Sequence, residues 1–328
     1  MRCVSAAQPS SRCPWRRTSS RTTWPSPPAS LFSHSAHEPQ HPCTRHSAPS
    51  VTIPSYFVAY APAFGAFGAV LGSFLNVCIA RWPKDESVVR PRSRCPGCGG
   101  SIAWYDNIPM VSWLLLRARC RSCGEPISVQ YPLVEAATAV LWIAALWLLG
   151  PSVVAVRLAL VATILLGVAI TDAQSYLIPD GFTVSGLAIA LGGAIVGVFL
   201  GEQLPFVGPW DAVLGACVGA GAITIIGWLG EVALKKEAMG YGDATLMAFV
   251  GATVGPVRAL LCIFVGAALA AAVFLLMVYP VGWWRARRAG ADFEAPLVPF
   301  GVFLAPAALL TLLFGNALLN WYLGRMFG

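Results

Sequence analysis

Two aspartates stand at the ends of hydrophobic stretches, where their carboxylates are suited to acid–base chemistry. Asp172 closes an apolar run in AITDAQSYLIPD, and Asp243 follows two glycines in EAMGYGDATLMAFVGA. An ionisable group beside a membrane-spanning stretch costs free energy and is a functional candidate by default. Two carboxylates in one partly desolvated site share a proton, so one can deprotonate water while the other protonates a scissile carbonyl. The pair therefore predicts peptide hydrolysis by an aspartyl dyad.

Simpler roles for these carboxylates compete with the catalytic hypothesis. Asp243 is also suited to N-cap the helix after it, Asp172 to end its span as an interfacial charge, and Asp180 to N-cap the next helix. Gly240 and Gly242 favour catalysis, because glycine permits a tight turn and the close approach of a neighbour or an extended substrate. A helix cap alone does not require them.

Few other side chains in the body of the chain can act as a general base. The four histidines are His34, His37, His41 and His46, so residues 47–328 contain none. That part of the chain therefore cannot use Ser-His-Asp or Cys-His catalysis, or a histidine-ligated catalytic zinc. The lysines lie in charged loops where nothing desolvates them, which argues against a Ser-Lys peptidase.

Four of the ten cysteines form a metal-binding pattern. Cys95 and Cys98 lie in CPGCGG, Cys120 and Cys123 lie in CRSCGE, and the spacing is C-x2-C-x21-C-x2-C. A glycine follows each pair and frees the backbone to wrap around a tetrahedral ion, which predicts a structural Zn²⁺ site. Four thiolates leave no open coordination position, so this zinc is expected to organise the loop and not to activate water. The alternative is a reduced knuckle without metal.

The elements that position these groups are predicted to be membrane helices. The chain of 328 residues is 57% hydrophobic and 11% charged, and its mean hydropathy is +0.67. About 20 apolar residues cross a bilayer, and spans are predicted near 57–80, 133–149, 153–171, 181–200, 211–233, 259–284 and 299–322. The apolar piece 244–254 is about 11 residues, too short to cross an ordinary membrane unless it is extended or re-entrant. We expect an all-α polytopic membrane protein with seven to eight transmembrane helices and a small cytoplasmic four-cysteine zinc-binding loop domain.

The basic residues predict the orientation of the helices. Thirteen Lys and Arg lie in the loops on the side of the cysteine loop, against three in the opposite segments of the body. The positive-inside rule places the cysteine loop and both aspartates at the cytoplasmic side. The net charge of +7 therefore reflects membrane orientation, and no nucleic-acid partner is expected.

The first 55 residues have a different composition from the rest. They contain twelve Ser, nine Pro and one acidic residue, which is too polar a mixture to form a packed core. The composition fits a transit peptide, and it also fits a disordered segment or a start codon assigned too far upstream, with translation beginning near Val51.

Three features taken together resemble the prepilin peptidases. These features are Gly-x-Gly-Asp before an apolar helix, a second Asp ahead of Ile-Pro-Asp, and a four-cysteine loop after the first span. Prepilin peptidases are bacterial type IV leader peptidases that often also act as N-methyltransferases. The resemblance covers about residues 65–325 and is densest from Gly72 to Glu135.

The resemblance implies roles for particular residues. Asp172 and Asp243 would be the catalytic pair, Asp180 a structural residue, and the four cysteines the zinc ligands. The substrates would be type IV prepilins or type II secretion pseudopilins, whose short basic leaders are cut after a Gly at the cytoplasmic face of the bacterial inner membrane. The cofactors would be structural Zn²⁺ and, where methylation is retained, S-adenosylmethionine. The implied domains are an extension (1–55), a first transmembrane helix (56–80), a zinc-binding domain (81–132) and a transmembrane aspartyl peptidase domain (133–328).

Two departures from the family pattern concern the site. Thr245 stands where many relatives have a lysine that would help to keep one aspartate ionised. Ala118 replaces a glycine that relatives place before the second cysteine pair and that is associated with methyl transfer. If that glycine provides room for S-adenosylmethionine, Ala118 weakens methylation.

Two other functional classes remain open at this stage. Another Gly-x-Gly-Asp protease, acting on preflagellin-like or transmembrane substrates, would lack the cysteine loop. A non-catalytic membrane scaffold or transporter with a structural zinc loop would not depend on Asp172 or Asp243, and a transporter would place its charges nearer the middle of the membrane.

Overall fold

The fold is a bundle of long helices, described here for residues 54–201, 205–235, 239–289 and 298–327 of a computed structural model. These residues belong to one compact unit, Thr52–Gly328. The N-terminal extension, with its histidines and three of the cysteines, lies almost entirely outside the described residues. The α-helices in these ranges are α1 (Ser55–Arg81), α2 (Val111–Leu115), α3 (Gln130–Leu149), α4 (Val153–Ser175), α5 (Asp180–Leu200), α6 (Pro209–Leu234), α7 (Tyr241–Val254), α8 (Pro256–Val273), α9 (Tyr279–Ala289) and α10 (Gly301–Phe327).

The predicted fold class is confirmed. Seven of the described helices are long and apolar enough to cross a membrane: Ser55–Lys84, Gln130–Leu149, Val153–Ser175, Asp180–Leu200, Pro209–Ala233, Pro256–Arg285 and Gly301–Met326. A π-helical turn, Phe274–Val278, joins α8 to α9 within the sixth of them. The described residues contain no β-strand, and the cysteine loop forms a small domain between α1 and α3.

The short apolar piece is a helix enclosed by the others. α7 has 14 residues, about 21 Å at 1.5 Å per residue, which is less than the roughly 30 Å of a bilayer core. Its side chains Leu246, Met247 and Phe249 are fully buried, and the helix packs against α5, α6, α8 and α10. A helix shorter than the bilayer core is tolerated among membrane-spanning helices because protein, and not lipid, surrounds it.

Glycines bring α6 and α7 into direct backbone contact. A Cβ atom at Gly215 of α6 would collide with the carbonyl oxygen of Gly251, and one at Gly219 would collide with that of Met247. Only hydrogen fits at these two positions, so the sequence of α6 sets how closely α7 is held.

The cysteine domain and the two aspartates lie at the same end of the bundle. The Trp82 ring, directly after α1, lies 4.4 Å from the Phe182 ring at the start of α5. The Gln174 side chain near the end of α4 donates a hydrogen bond of 3.0 Å to that of Gln130 at the start of α3. This placement agrees with the orientation predicted from the charges.

The tight α6–α7 contact predicts a stability difference between two glycine substitutions on one helix. Gly215→Ala is expected to destabilise the protein by about 1–3 kcal/mol because the added methyl group forces α7 away. Gly221→Ala is the matched control, since a Cβ there meets nothing within 4 Å, and it is expected to be neutral or slightly stabilising. Thermal unfolding of the purified variants in detergent measures both, and equal transition temperatures would contradict the packing described.

Candidate active site and metal centre

Asp172 is buried in the last turn of α4 and anchored to α10. The residue is 5% exposed, and its Oδ2 atom accepts a hydrogen bond of 3.0 Å from the Val302 N–H. A Cβ atom at Gly301 would lie only 2.9 Å from the same oxygen, so the backbone of α10 approaches the carboxylate closely. Free N–H groups and the positive end of a helix dipole favour an anion at this place. Asp172 thus lies at the end of its span, as the interfacial-charge hypothesis expected, but it is a buried and hydrogen-bonded carboxylate and not one exposed at the interface.

Asp243 lies in the first turn of α7 and does not N-cap it. The helix begins at Tyr241 with Gly240 in the N-cap position, three residues earlier than the cap hypothesis required. Asp243 is half-buried and outside the seven predicted spans. Burial, followed by the negative charge of Asp172, raises the pKa of Asp243 to about 6, and a backbone hydrogen bond with Gly240 opposes the rise. The two carboxylates therefore interact electrostatically across the fold.

Ile178 packs between the segments that carry the aspartates. The side chain is buried in the loop between α4 and α5. A Cβ atom at Gly242 would lie 3.0 Å from its Cβ, and one at Gly301 would lie 2.9 Å from its Cδ1. Gly242 is thus needed because Ile178 occupies the space beside it. The sequence predicted that a neighbour approaches this glycine closely, and the structure identifies that neighbour as Ile178.

The helices of the two aspartates meet through neighbouring elements. α7 packs mainly against α5 and α6, α4 packs mainly against α3 and α10, and α10 also contacts α7. α10 and Ile178 thus mediate much of the contact between the segments that carry the two aspartates. Sequence analysis missed Ile178, Gly301 and Val302, since nothing in VPFGVFLAP indicates an anion-binding helix start.

Asp180 and Thr245 lie near the starts of α5 and α7. Asp180 is exposed and is the first residue of α5, with Pro179 in the N-cap position, so the hypothesis that Asp180 is the N-cap is wrong. Its charge is still favourable in the first turn of a helix. The Thr245 hydroxyl donates a hydrogen bond of 3.0 Å to the carbonyl of Gly242 and supplies no positive charge to the pair.

The four predicted metal ligands come together in the cysteine domain. The Sγ atoms of Cys95, Cys98, Cys120 and Cys123 all lie within 4.8 Å of one another. Cys95 Sγ is 3.7 Å from Cys123 Sγ, and a tetrahedral zinc with bonds of 2.3 Å requires sulfur atoms about 3.8 Å apart. The cluster therefore has the donor set and the spacing of a Cys₄ site.

Two equivalent hairpins supply these ligands. In each, a glycine N–H donates a hydrogen bond of 2.9 Å to the carbonyl of the first cysteine, from Gly99 to Cys95 and from Gly124 to Cys120. The two glycines have φ angles of +69° and +75°, which residues with a Cβ rarely adopt. Both hairpins thus contain the same backbone turn, and the C-x2-C-G pattern is its sequence.

Ala118 adopts a backbone conformation that favours glycine. Its φ angle is +59°, and that of Arg117 before it is +51°. The Ala118 N–H donates to the Trp113 carbonyl at 2.9 Å, and its own carbonyl accepts from the Ile127 N–H at 2.7 Å. A glycine here relieves backbone strain, so its occurrence in the family pattern has a conformational reason that does not involve the methyl donor.

Comparisons with known proteins agree with this geometry. Residues 66–149 match the family described as Bacterial Peptidase A24 N-terminal domain, and residues 159–276 match the Type IV leader peptidase family. Three similar proteins are each named Prepilin leader peptidase/N-methyltransferase. The one from Myxococcus xanthus (strain DK1622) is 41% identical over 74% of this chain and 69% of its own length. Those from Aeromonas hydrophila and Xanthomonas campestris pv. campestris are 35% and 32% identical, over 78% and 80% of this chain and 91% and 94% of their own lengths. No solved structure matches the chain.

The cysteine cluster predicts bound zinc in the purified protein. Cys98→Ser is expected to weaken zinc binding by more than about tenfold, because a four-thiolate site loses one ligand. Cys217→Ser, which removes an exposed cysteine of α6, is the matched control. Zinc content after dialysis against a chelator measures the difference, and equal retention by both variants would contradict a Cys₄ site.

The positive φ angle of Ala118 predicts that Ala118→Gly stabilises the cysteine domain by about 1 kcal/mol. Ala103→Gly is the control, because Ala103 has an ordinary φ angle of −68° and glycine there adds only unfolded-state entropy. The rate of amide hydrogen exchange in the cysteine domain measures the change in its stability in each variant. Slower exchange in Ala118→Gly alone is the expected result, and no difference between the two would contradict the strain.

Proposed function

This chain belongs to the type IV leader peptidase family, and we propose that it cuts leader peptides from type IV prepilins or pseudopilins with Asp172 and Asp243 as the catalytic pair. The observation that carries this proposal is the packing of Ile178 against Gly242, the neighbour of Asp243, and against Gly301, whose backbone approaches the Asp172 carboxylate. This packing holds both acids at the end of the bundle that also holds the cysteine domain. A mere cap or an interfacial charge would not need a second acid beside it.

The surroundings of the two aspartates suggest different roles for them. The Val302 N–H donates a hydrogen bond to Asp172 and holds this carboxylate in place, which suits the base that takes a proton from the attacking water. Asp243, with its raised pKa, is the better residue to hold the proton and to give it to the carbonyl oxygen. The proton taken by Asp172 then passes to the leaving amine, and Asp243 takes back a proton from a hydroxyl of the tetrahedral intermediate as the product carboxyl group forms. The peptide bond thus breaks with no net change at the pair.

The substrate class follows from the position of the pair. A basic leader stays in the cytoplasm under the positive-inside rule, and the apolar helix after the cut lies in the membrane. Tyr176, Leu177 and Tyr241 are exposed beside the aspartate-bearing segments and offer apolar contact to that helix. We place the enzyme in the bacterial inner membrane, as a multi-pass protein with the pair on the cytoplasmic side.

The cysteine domain has a structural role in this proposal. Cys95, Cys98, Cys120 and Cys123 would hold Zn²⁺, which ties the two hairpins together and has no open position for water. Between α1 and α3, this domain stands beside the path of the leader and leaves the hydrolysis to the aspartates.

N-methylation of the new N-terminus is the second proposed activity. It is supported by the match of residues 66–149 to the bacterial N-terminal domain of the family and by the name that the similar proteins carry. S-adenosylmethionine is the methyl donor that such a reaction requires. The backbone explanation for Ala118 removes the sequence-based reason to doubt this activity.

The aspartyl pair predicts loss of cleavage in single variants. Asp172→Asn and Asp243→Asn are each expected to lower the rate of leader cleavage at least about 100-fold, because each removes one partner of the proton exchange. Asp180→Asn is the matched control, since this carboxylate is exposed and outside the pair. Mass spectrometry of a prepilin incubated with each detergent-purified variant gives the rates. Wild-type cleavage in both pair variants would refute the dyad and assign the hydrolysis to other residues, whereas no cleavage by the unaltered chain would favour the scaffold hypothesis.

A further inference from the structure

A cavity of about 460 Å³ lies between the cysteine domain and the cytoplasmic ends of α1 and α3. Its walls include Asn76 and Arg81 of α1, Glu135 of α3, and Cys95 and Cys120 of the metal cluster. This volume lies within the range of roughly 300–1,000 Å³ that is typical of small-molecule sites. The aspartyl pair is built from other helices, so peptide hydrolysis does not account for the cavity.

We propose that this cavity binds S-adenosylmethionine, with the carboxylate of Glu135 as the counter-charge for its sulfonium group. The inference rests on the methyl-transfer activity proposed above and assigns that activity to particular residues of this chain.

Glu135 is held rigidly at the wall of the cavity. The residue is 6% exposed, and its Oε2 atom accepts a hydrogen bond of 2.7 Å from the Met110 N–H. A Cβ atom at Gly72 would lie 2.7 Å from the Glu135 Cα, so α1 and α3 touch at this level. The close contact fixes where the carboxylate points relative to α1.

Glu135 has no cationic partner within the described ranges. The ion pair found there joins Arg121 to Asp106. Arg81 is also engaged, because its guanidinium donates hydrogen bonds of 2.8 Å to the carbonyls of Ser87 and Pro91. A buried carboxylate without a cation is costly, and a cationic ligand offsets this cost.

The rest of the lining suits the body of the methyl donor. Apolar side chains from the cysteine domain form one wall, which suits a flat heteroaromatic ring: Ile102, Ile108, Trp113 and Ile127. Asn76 donates through Nδ2 to the Tyr131 carbonyl at 3.1 Å, which leaves its Oδ1 atom free to accept from a ligand amino group. The lining also contains Arg94 and Glu125 from the two hairpins, and Arg121 and Asp106, which pair with each other.

The cavity lies on the same side of the bundle as the aspartyl pair. The hydrogen bond between Gln174 and Gln130 joins the end of α4, two residues after Asp172, to the start of α3, five residues before Glu135. A new N-terminus released at the pair therefore has a short way to the cavity.

Binding of two related ligands tests the role of Glu135. S-adenosylmethionine carries a positive sulfur and S-adenosylhomocysteine a neutral one, and titration calorimetry on the detergent-purified chain measures the affinity for each. Glu135→Gln is expected to weaken binding of the sulfonium compound by about tenfold or more and to change binding of the thioether far less. Glu86→Gln, which removes an exposed carboxylate outside the cavity, should change neither.

Leader cleavage and zinc content show whether each variant is folded. If Glu135→Gln disturbs either, Ile102→Trp serves as a second variant, because it fills the cavity and should abolish binding of both ligands while cleavage continues. Unchanged affinities in Glu135→Gln, equal losses for both ligands, or full binding by Ile102→Trp would overturn the site. A wild-type chain that cleaves its substrate but binds neither ligand would overturn the site and the methyl-transfer proposal together, and would leave the peptidase intact.

Discussion

The structure depends on keeping two acids close together inside a bundle of apolar helices. Each carboxylate loses hydration there, and each repels the other, so the fold must supply compensating dipoles and room for a shared proton. The Val302 N–H at the start of α10 provides one such dipole for Asp172. The glycines at 242 and 301 let the backbones and Ile178 pack close enough for this contact. The last described helix of the chain is therefore as necessary to the pair as the helices that carry the acids.

The burial of α7 follows from the same constraint. Asp243 lies at the end of the bundle that carries the cysteine domain and is partly enclosed by protein, which a full-length span facing lipid would not allow. The chain uses a helix of 14 residues and encloses it, with the α6 glycines bringing backbone against backbone. Protein neighbours thus set the depth of Asp243, and the thickness of the surrounding bilayer has little influence on it.

The fold class, the seven long helices, the cysteine cluster and both aspartates were predictable because each leaves a local signal. The length of an apolar stretch indicates a membrane-spanning helix, the C-x2-C-G pattern indicates a metal-binding turn, and a single Asp in an apolar stretch indicates a functional candidate. The contacts of the site were not predictable, since Gly301, Val302 and Ile178 are ordinary apolar or small residues whose role depends on long-range packing. The cap hypotheses failed for another reason: Asp243 and Asp180 stand inside helices that begin at Tyr241 and at Asp180 itself, and helix boundaries are the least certain part of a sequence-based assignment.

The two hairpins of the cysteine domain each provide half of one metal site, so neither can retain an ion alone. Cys95 and Cys120, one from each hairpin, also form part of the cavity wall. If the cluster holds zinc and the cavity binds the proposed ligand, the two occupancies are linked equilibria. A metal that orders the wall would then strengthen binding in the cavity, and a bound ligand would strengthen retention of the metal by the same factor. In a cell short of zinc, such a linkage would lower the proposed methyl transfer at the cysteine domain before it lowered peptide cleavage by the aspartates.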